Sequence, residues 1–115
     1  MECNVWGVVI RKPVSELYMV PIDHSKKRKI DDFVEVASFA KDKGLHIAHM
    51  AQDITRANSE MARDIIMSIH EKVGLDELCL TDSQGVATPF GMKHLVETVR
   101  GWIDIPLQVH CHNHL

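Results

Sequence analysis

Strand-like and helix-like segments alternate along this chain, and no other feature of the sequence restricts its fold as strongly. Short apolar runs are centred near residues 8, 48, 79 and 109, about 30 to 40 residues apart, which is the usual length of a βαβ unit. A stretch with the helical spacing of apolar residues fills each interval. The sequence therefore predicts an α/β protein of about four parallel strands with intervening helices.

The predicted helices have residues that favour helix ends. A side-chain oxygen caps the first free N–H groups, a proline suits the first turn, and a glycine suits the position after the last turn. The first helix is predicted over residues 30–43, with acids in its first turn and residues 26–29 as a solvated basic entry. Strands are predicted over 5–10, which is expected to be buried, over 45–50 and 78–80, and from residue 106 onward. The residues predicted to begin or end helices are Gly44, Asn58 or Ser59, Gly74, Thr88 and Pro89.

Polar side chains follow all four predicted strands. In parallel α/β folds, the C-terminal ends of the strands and the loops after them form the active site. The loops at the opposite end resemble ordinary solvated connections. A functional site is therefore expected at the C-terminal edge of the sheet. The polar residues there are Ser15 and His24, then Gln52, Asp53 and Arg56, then Thr81, Asp82 and Ser83, and finally His110, His112 and Asn113.

The last polar group has the most specific chemistry. Alternation along a strand puts His110 and His112 on one face, with their side chains about 7 Å apart. Two imidazoles at that spacing can converge on one cation. The motif alone leaves open a metal site and a solvated or hydrogen-bonded pair. The opposite face is predicted to pack and carries Leu107, Val109 and Cys111.

Composition and charge exclude several other classes of function. The net charge of −3, with both signs interspersed, argues against nucleic acid or a membrane surface as the main partner. No apolar run approaches the roughly 20 residues of a membrane-spanning helix, and no signal peptide is expected. Three scattered cysteines are too few for a disulfide framework, which predicts a reducing, cytoplasmic setting.

Three segments together carry a resemblance to a known family. They are residues 52–57 (QDITRA), 80–89 (LTDSQGVATP) and 109–113 (VHCHN), in that order. This set resembles the metal-dependent Claisen lyase and synthase superfamily, which includes 2-isopropylmalate, homocitrate and citramalate synthases and 3-hydroxy-3-methylglutaryl-CoA lyase. The resemblance implies a pyruvate carboxyltransferase-type TIM (β/α)8 barrel. Residues 1–115 would be an incomplete catalytic domain, the middle portion that covers roughly barrel strands three to six.

The resemblance also implies roles for individual residues. A divalent cation (Mg²⁺, Mn²⁺ or Zn²⁺) would be the cofactor, and ligand type alone does not choose among the three. Two structural alternatives stay open: Asp82 caps the turn that follows it, and Arg56 pairs with Asp53. The implied metal ligands are His110 and His112, the implied catalytic residues Asp82 and Arg56, and the implied substrate-binding residues Asn113 and Ser15.

The chain also departs from the family pattern. Gln52 stands where the family has an acid, Ser83 where it has threonine, and His114 where it has aspartate. The family's Arg-Asp motif of the first barrel strand, its later metal-binding asparagine and its glycine-rich loop are absent. The isolated chain is therefore expected to be inactive.

The function implied for the parent enzyme is a divalent-metal-dependent Claisen condensation of an acyl-CoA with an α-keto acid, in amino-acid biosynthesis. The alternatives are a 3-hydroxy-3-methylglutaryl-CoA lyase-like retro-Claisen enzyme and a catalytically inert truncated or assembly module. A biotin-dependent carboxyltransferase barrel is less favoured, since no carrier-lysine loop is recognisable. Four strands cannot close an eight-stranded barrel, so a homo-oligomer or a missing barrel half is the expected partner.

Overall fold

A computed structural model describes residues 3–17 and 25–114. The four strands form one parallel sheet in the order β1-β2-β3-β4, which confirms the predicted α/β class and sheet. His24, one of the predicted polar residues, lies outside the described residues. In chain order the elements are β1 (Gly7–Pro13), α1 (Lys26–Asp42), β2 (His46–Gln52), a 3₁₀ turn (Ile54–Arg56), α2 (Ser59–Val73), β3 (Glu77–Asp82), α3 (Pro89–Arg100) and β4 (Leu107–Cys111).

The ends of α2 and α3 confirm the predicted caps. The Asn58 side chain accepts a hydrogen bond from the Met61 amide at 3.1 Å, and the Thr88 hydroxyl accepts one from the Gly91 amide at 3.1 Å. Gly74 follows the last turn of α2 with a φ of 63°, a left-handed conformation that glycine adopts without steric cost. These ends were predictable because each cap depends on residues within one turn.

The start of α1 differs from the prediction, because the helix begins one turn earlier. Ser25 caps it by accepting a hydrogen bond from the Arg28 amide at 3.2 Å. The two aspartates that follow therefore lie in the second turn, where they pair with Lys27 and Arg28 across one turn. Lys29 is buried rather than solvated, and its amine donates a hydrogen bond to the Ser15 carbonyl at 3.2 Å.

The three helices among the described residues cover one face of the sheet. On β2, the side chains of Ile47, His49 and Ala51 face these helices and are fully buried. His49 packs against Phe33 of α1, with ring centroids 4.6 Å apart, and burial lowers its pKa to about 4. The alternate residues of β2 face the opposite side of the sheet, which we call the inner face. The buried apolar core also includes Ile30, Ala37, Ile65, Ile66, Ile69, Leu78, Leu80 and Val99.

Strand β1 is an edge strand, so the prediction of a buried strand over residues 5–10 was wrong. It runs from Gly7 to Pro13, and Val9 on its inner face is 62% exposed. Its limits follow its hydrogen-bonded pairing with β2 rather than its own apolar run.

On the side of the sheet that the helices cover, β4 is also less covered than predicted. Val109 is 53% exposed and Cys111 is exposed, although both were expected to pack. In the part of the chain that the structure describes, no helix follows β4, so nothing lies over these side chains. In α3, Val99 is buried, whereas Met92, Leu95 and Val96 are only partly buried.

Candidate metal and substrate site

All four strands contribute to a cavity at the C-terminal end of the inner face. Parallel pairing aligns Arg11 with Met50 and Thr81 with His110, which brings side chains from separate strands to one edge. The cavity has a volume of about 290 Å³. Its lining residues are Arg11 of β1, Met50 and Gln52 of β2, Thr81 of β3, Ser83 and Gln84 of the next loop, and His110 and His112 at the end of β4.

The two predicted metal ligands lie next to each other at one end of this cavity. The ring centroids of His110 and His112 are 5.2 Å apart, and both side chains are exposed. Neighbouring accessible imidazoles fit two positions in the ligand set of a divalent cation. Within residues 3–17 and 25–114, no group of three or more histidine, cysteine or acidic side chains is arranged to hold a metal. Any further ligands would therefore come from water, substrate or other parts of a complete barrel.

Asp82 lies outside the cavity and holds the loop after β3. Its carboxylate is 1% exposed and accepts hydrogen bonds from the Thr55 hydroxyl at 2.9 Å, the Val86 amide at 3.2 Å and the Ala87 amide at 3.0 Å. Burial alone would raise the pKa of Asp82, but these donors hold it below its ordinary value. This geometry corresponds to the capping alternative for Asp82.

Asp53 and Arg56 form a two-pronged ion pair beside the cavity, which corresponds to the pairing alternative. The guanidinium Nε and Nη2 donate to the two carboxylate oxygens, each at 2.8 Å. Asp53 is fully buried with a φ of 61°, and its carboxylate raises the pKa of Arg56. The Asp53 amide donates to the Ser83 hydroxyl at 2.9 Å. The pair thus fixes the loop after β2 against a residue that lines the cavity.

The two predicted substrate-binding residues do not line the cavity. Ser15 is 1% exposed, and its hydroxyl accepts a hydrogen bond from the Leu17 amide at 3.0 Å. Asn113 is exposed and has a φ of 53°, so the backbone turns sharply just after the two histidines.

That turn brings His114 against the loop after β3. Gly85 is buried with a φ of 64°, and a Cβ atom on it would lie 2.7 Å from the His114 backbone nitrogen. The ring of His114 in turn lies 5.4 Å from that of His112, measured between centroids. A glycine is therefore required at position 85 for both its backbone conformation and this contact.

Only the two histidines among the cavity residues were given a role from the sequence. Arg11, Met50 and Gln84 were not identified, and Gln52, Thr81 and Ser83 were placed at strand ends without a role. The predicted first strand ended at residue 10, which excluded Arg11 from the strand end. Extending the alternation by one residue would have put Arg11 on the same face as Val9 and Gly7.

A larger groove lies on the helical side, between α2 and α3. Its volume is about 410 Å³, and its lining is mostly small or apolar, with His94 as the one titratable side chain among the described residues that line it. It contains none of the six predicted site residues. We therefore take the smaller inner-face cavity, with its two imidazoles and guanidinium, as the candidate site.

Among the described residues, no helix has both the length and the apolar character needed to cross a bilayer.

Comparison with known proteins identifies similar sequences. A profile of the family described as HMGL-like matches residues 1–115. Homocitrate synthase AksA of Methanopyrus kandleri is 32% identical over 114 residues, which cover 98% of this chain and 28% of that protein. (R)-citramalate synthase CimA of Methanocaldococcus jannaschii is 32% identical over 118 residues, which cover 98% of this chain and 23% of that protein. A probable 2-isopropylmalate synthase of Archaeoglobus fulgidus is also 32% identical, over 98% of this chain and 22% of that protein. The chain spans less than a third of the length of each.

A solved structure shows the same architecture. The crystal structure of hydroxymethylglutaryl-CoA lyase from Pseudomonas aeruginosa matches with a TM-score of 0.79 at 21% identity. The match covers 95% of this chain and 39% of that one. The described strands and helices are therefore part of a TIM barrel, as predicted.

Proposed function

The chain belongs to the HMGL-like family, and on that premise we propose that it is the middle part of the catalytic barrel of a divalent-metal-dependent acyl-CoA condensing enzyme acting on an α-keto acid. The similar synthases support condensation over the retro-Claisen direction, because the lyase likeness at 21% identity concerns the fold alone. The family generally uses a divalent metal, and the relatives named homocitrate, citramalate and isopropylmalate synthase support a role in amino-acid biosynthesis.

One observation carries this proposal: His110 and His112 lie side by side at the C-terminal end of β4 and open into the inner-face cavity. The two imidazoles would hold a divalent cation there, and the bound cation would supply a Lewis acid for a keto oxygen. The Thr81 hydroxyl lines the same cavity, where it can hydrogen-bond to a polar substrate.

The remaining predicted site residues contribute in different ways under this proposal. The buried contacts of Asp82 and Arg56 support a positioning function, in which they hold the loops that carry Thr55 and Ser83. Asn113 is exposed and directly follows the two histidines, and it remains a predicted substrate contact. Ser15 remains a predicted substrate contact, and its hydroxyl already accepts a backbone hydrogen bond.

The rest of the barrel is part of the same proposal. Strands β1 and β4 are the two edges of the sheet, and both carry exposed apolar side chains. We propose that further barrel strands pair with these edges, either from a longer polypeptide or from a second copy of the chain, and that the 115 residues alone are inactive. The mass of the native polypeptide in its source cells distinguishes these two origins.

The three free cysteines support a reducing, cytoplasmic compartment.

Metal binding by the purified chain tests the proposal. We expect Mn²⁺ to bind, as detected by loss of the free-ion EPR signal, and expect His110→Ala or His112→Ala to weaken binding at least tenfold. His94→Ala is the matched control, because it removes an exposed imidazole on α3, away from the cavity. Equal Mn²⁺ binding by all four proteins, with unchanged circular dichroism spectra, would contradict the proposed site.

A further inference from the structure

Arg11 on β1 lines the end of the cavity opposite the two histidines. We infer that Arg11 binds a second carboxylate on the substrate, so that the site selects dicarboxylic α-keto acids over monocarboxylic ones. This inference rests on the proposed function, because it assigns a substrate class to the same cavity.

The lining of the cavity carries a positive charge at the Arg11 end. Arg11 is the one permanently charged side chain among its described lining residues, and none of those residues is an acid. Arg11 forms no ion pair or side-chain hydrogen bond with any other part of the chain that the structure describes. The carboxylates of the loops after β2 and β3 are engaged elsewhere, since Asp53 pairs with Arg56 and Asp82 caps its loop. The side chain of Arg11 is exposed and has no counter-ion among the described residues, so an anionic ligand can supply one.

The position of Arg11 in the sheet separates it from the two histidines. It lies on β1 at one edge, whereas His110 lies on β4 at the other edge. Three strand spacings of about 4.8 Å separate the two backbones. The side chains shorten that distance by reaching into one cavity, but a single carboxylate cannot contact both ends. A molecule with a keto acid at the histidine end and a second carboxylate at the Arg11 end has the required two anchors.

The residues between the two ends fit such a molecule. Met50 and Thr81 lie on the intervening strands and offer an apolar surface and a hydroxyl. Gln52 is neutral, so no negative charge from the lining separates Arg11 from the histidines. A carbon chain can therefore cross the middle of the cavity without placing either carboxylate beside a like charge.

Arginine also accounts for the expected selectivity. Its planar guanidinium can donate two parallel hydrogen bonds to one carboxylate, a geometry that a lysine ammonium does not reproduce. A keto acid of the same length that ends in a methyl group gains nothing from this contact. The preference for a dicarboxylate should therefore depend on Arg11 specifically and decrease in Arg11→Lys.

The test compares two five-carbon probes, 2-oxoglutarate and 2-oxopentanoate, by calorimetric titration of the purified chain. We expect at least tenfold tighter binding of 2-oxoglutarate, and expect Arg11→Gln to remove that preference without changing the affinity for 2-oxopentanoate. Arg11→Lys should retain part of it. Arg63→Gln, which removes an exposed arginine on α2, is the matched control and should change neither affinity.

The outcomes separate this inference from the proposed function. Equal affinities for the two probes, no saturable binding of 2-oxoglutarate, or an unchanged preference in a folded Arg11→Gln variant would overturn the inference. Mn²⁺ binding that depends on His110 would then still support the proposed function. Conversely, an Arg11-dependent preference without any Mn²⁺ binding would support the inference while contradicting the metal site.

Discussion

Individual polar residues at the strand ends differ in what their side chains contact. Asp53 and Asp82 are buried and accept several hydrogen bonds, whereas His110 and His112 are exposed at the cavity wall. Removing one partner of a buried hydrogen bond leaves the other partner desolvated and unpaired, which lowers the stability of the fold. An exposed imidazole, in contrast, can be replaced with little effect on folding. Stability and ligand binding at this edge of the sheet should therefore respond to different substitutions.

Asp82→Asn should lower the free energy of unfolding by about 1–3 kcal/mol, because the new amide group cannot accept all three hydrogen bonds. Urea denaturation at neutral pH measures this effect. Asp104→Asn is the control, since Asp104 is fully exposed, and it should change stability by less than about 0.5 kcal/mol. Equal effects of the two substitutions would contradict the capping function of Asp82.

The stability difference between the native chain and Asp82→Asn should also depend on pH. The pKa of Asp82 is lower in the folded protein than its ordinary value, so its carboxylate stabilises the fold above about pH 4. That contribution is lost as the pH falls through the folded-state pKa. The stability difference between the native chain and Asp82→Asn should therefore shrink below about pH 4 and stay constant between about pH 5 and 7. A difference that grows on acidification would have the wrong sign.

At the scale of elements, the loops that follow β2, β3 and β4 are tied to one another. The Thr55 hydroxyl contacts Asp82, the Asp53 amide contacts Ser83, and Gly85 lies directly against the backbone of His114. Each contact joins loops that are distant in sequence and adjacent at the C-terminal edge of the sheet. The loops around the cavity therefore act as one packed layer.

Gly85→Ala tests this packing. Both Gly85 and Gly44 have a positive φ, so an alanine at either position costs about 1–2 kcal/mol in backbone strain. A Cβ at position 85 also collides with the His114 backbone, whereas nothing lies within 4 Å of one at position 44. Gly85→Ala should therefore destabilise the chain by about 1–3 kcal/mol more than Gly44→Ala in thermal or urea unfolding. Equal losses would mean that the segment after β4 does not hold this contact.

At the scale of the whole molecule, the helices cover one face of an open sheet. Apolar side chains remain exposed on both edge strands, including Val9 on β1 and Val109 on β4. Open strand edges with apolar side chains favour pairing with further strands. The described part of the chain is therefore expected to associate through its edges.

Val109→Lys should reduce self-association, because a charge on the edge strand would have to be desolvated when a neighbouring element covers it. Sedimentation equilibrium measures the effect as a lower average mass at a given concentration. Val36→Lys is the matched control, since Val36 on α1 is 54% exposed and Val109 is 53% exposed. A monomeric native chain, or equal effects of both substitutions, would argue against association through β4.

Features that depend on neighbouring residues could be predicted from the sequence. The caps of α2 and α3 and the glycine after α2 follow from contacts within one turn, and the order of strands and helices follows from local periodicity. The histidine pair was predictable because strand alternation places His110 and His112 on one face. Three motifs in register also identified the family and the barrel, which the comparisons confirm.

The sequence by itself therefore determined the α/β class, the parallel order of the elements and the edge of the sheet where the polar residues gather. The tertiary structure decided where β1 ends, because its limits depend on pairing with β2, and this placed Arg11 in the cavity. It also decided that Asp82 and Arg56 hold loops. Asp82 contacts Thr55 in the loop after β2, and the Arg56–Asp53 pair fixes that loop against Ser83 after β3. Local patterns report periodicity and capping, whereas side-chain function depends on contacts between distant segments that form only when the sheet assembles.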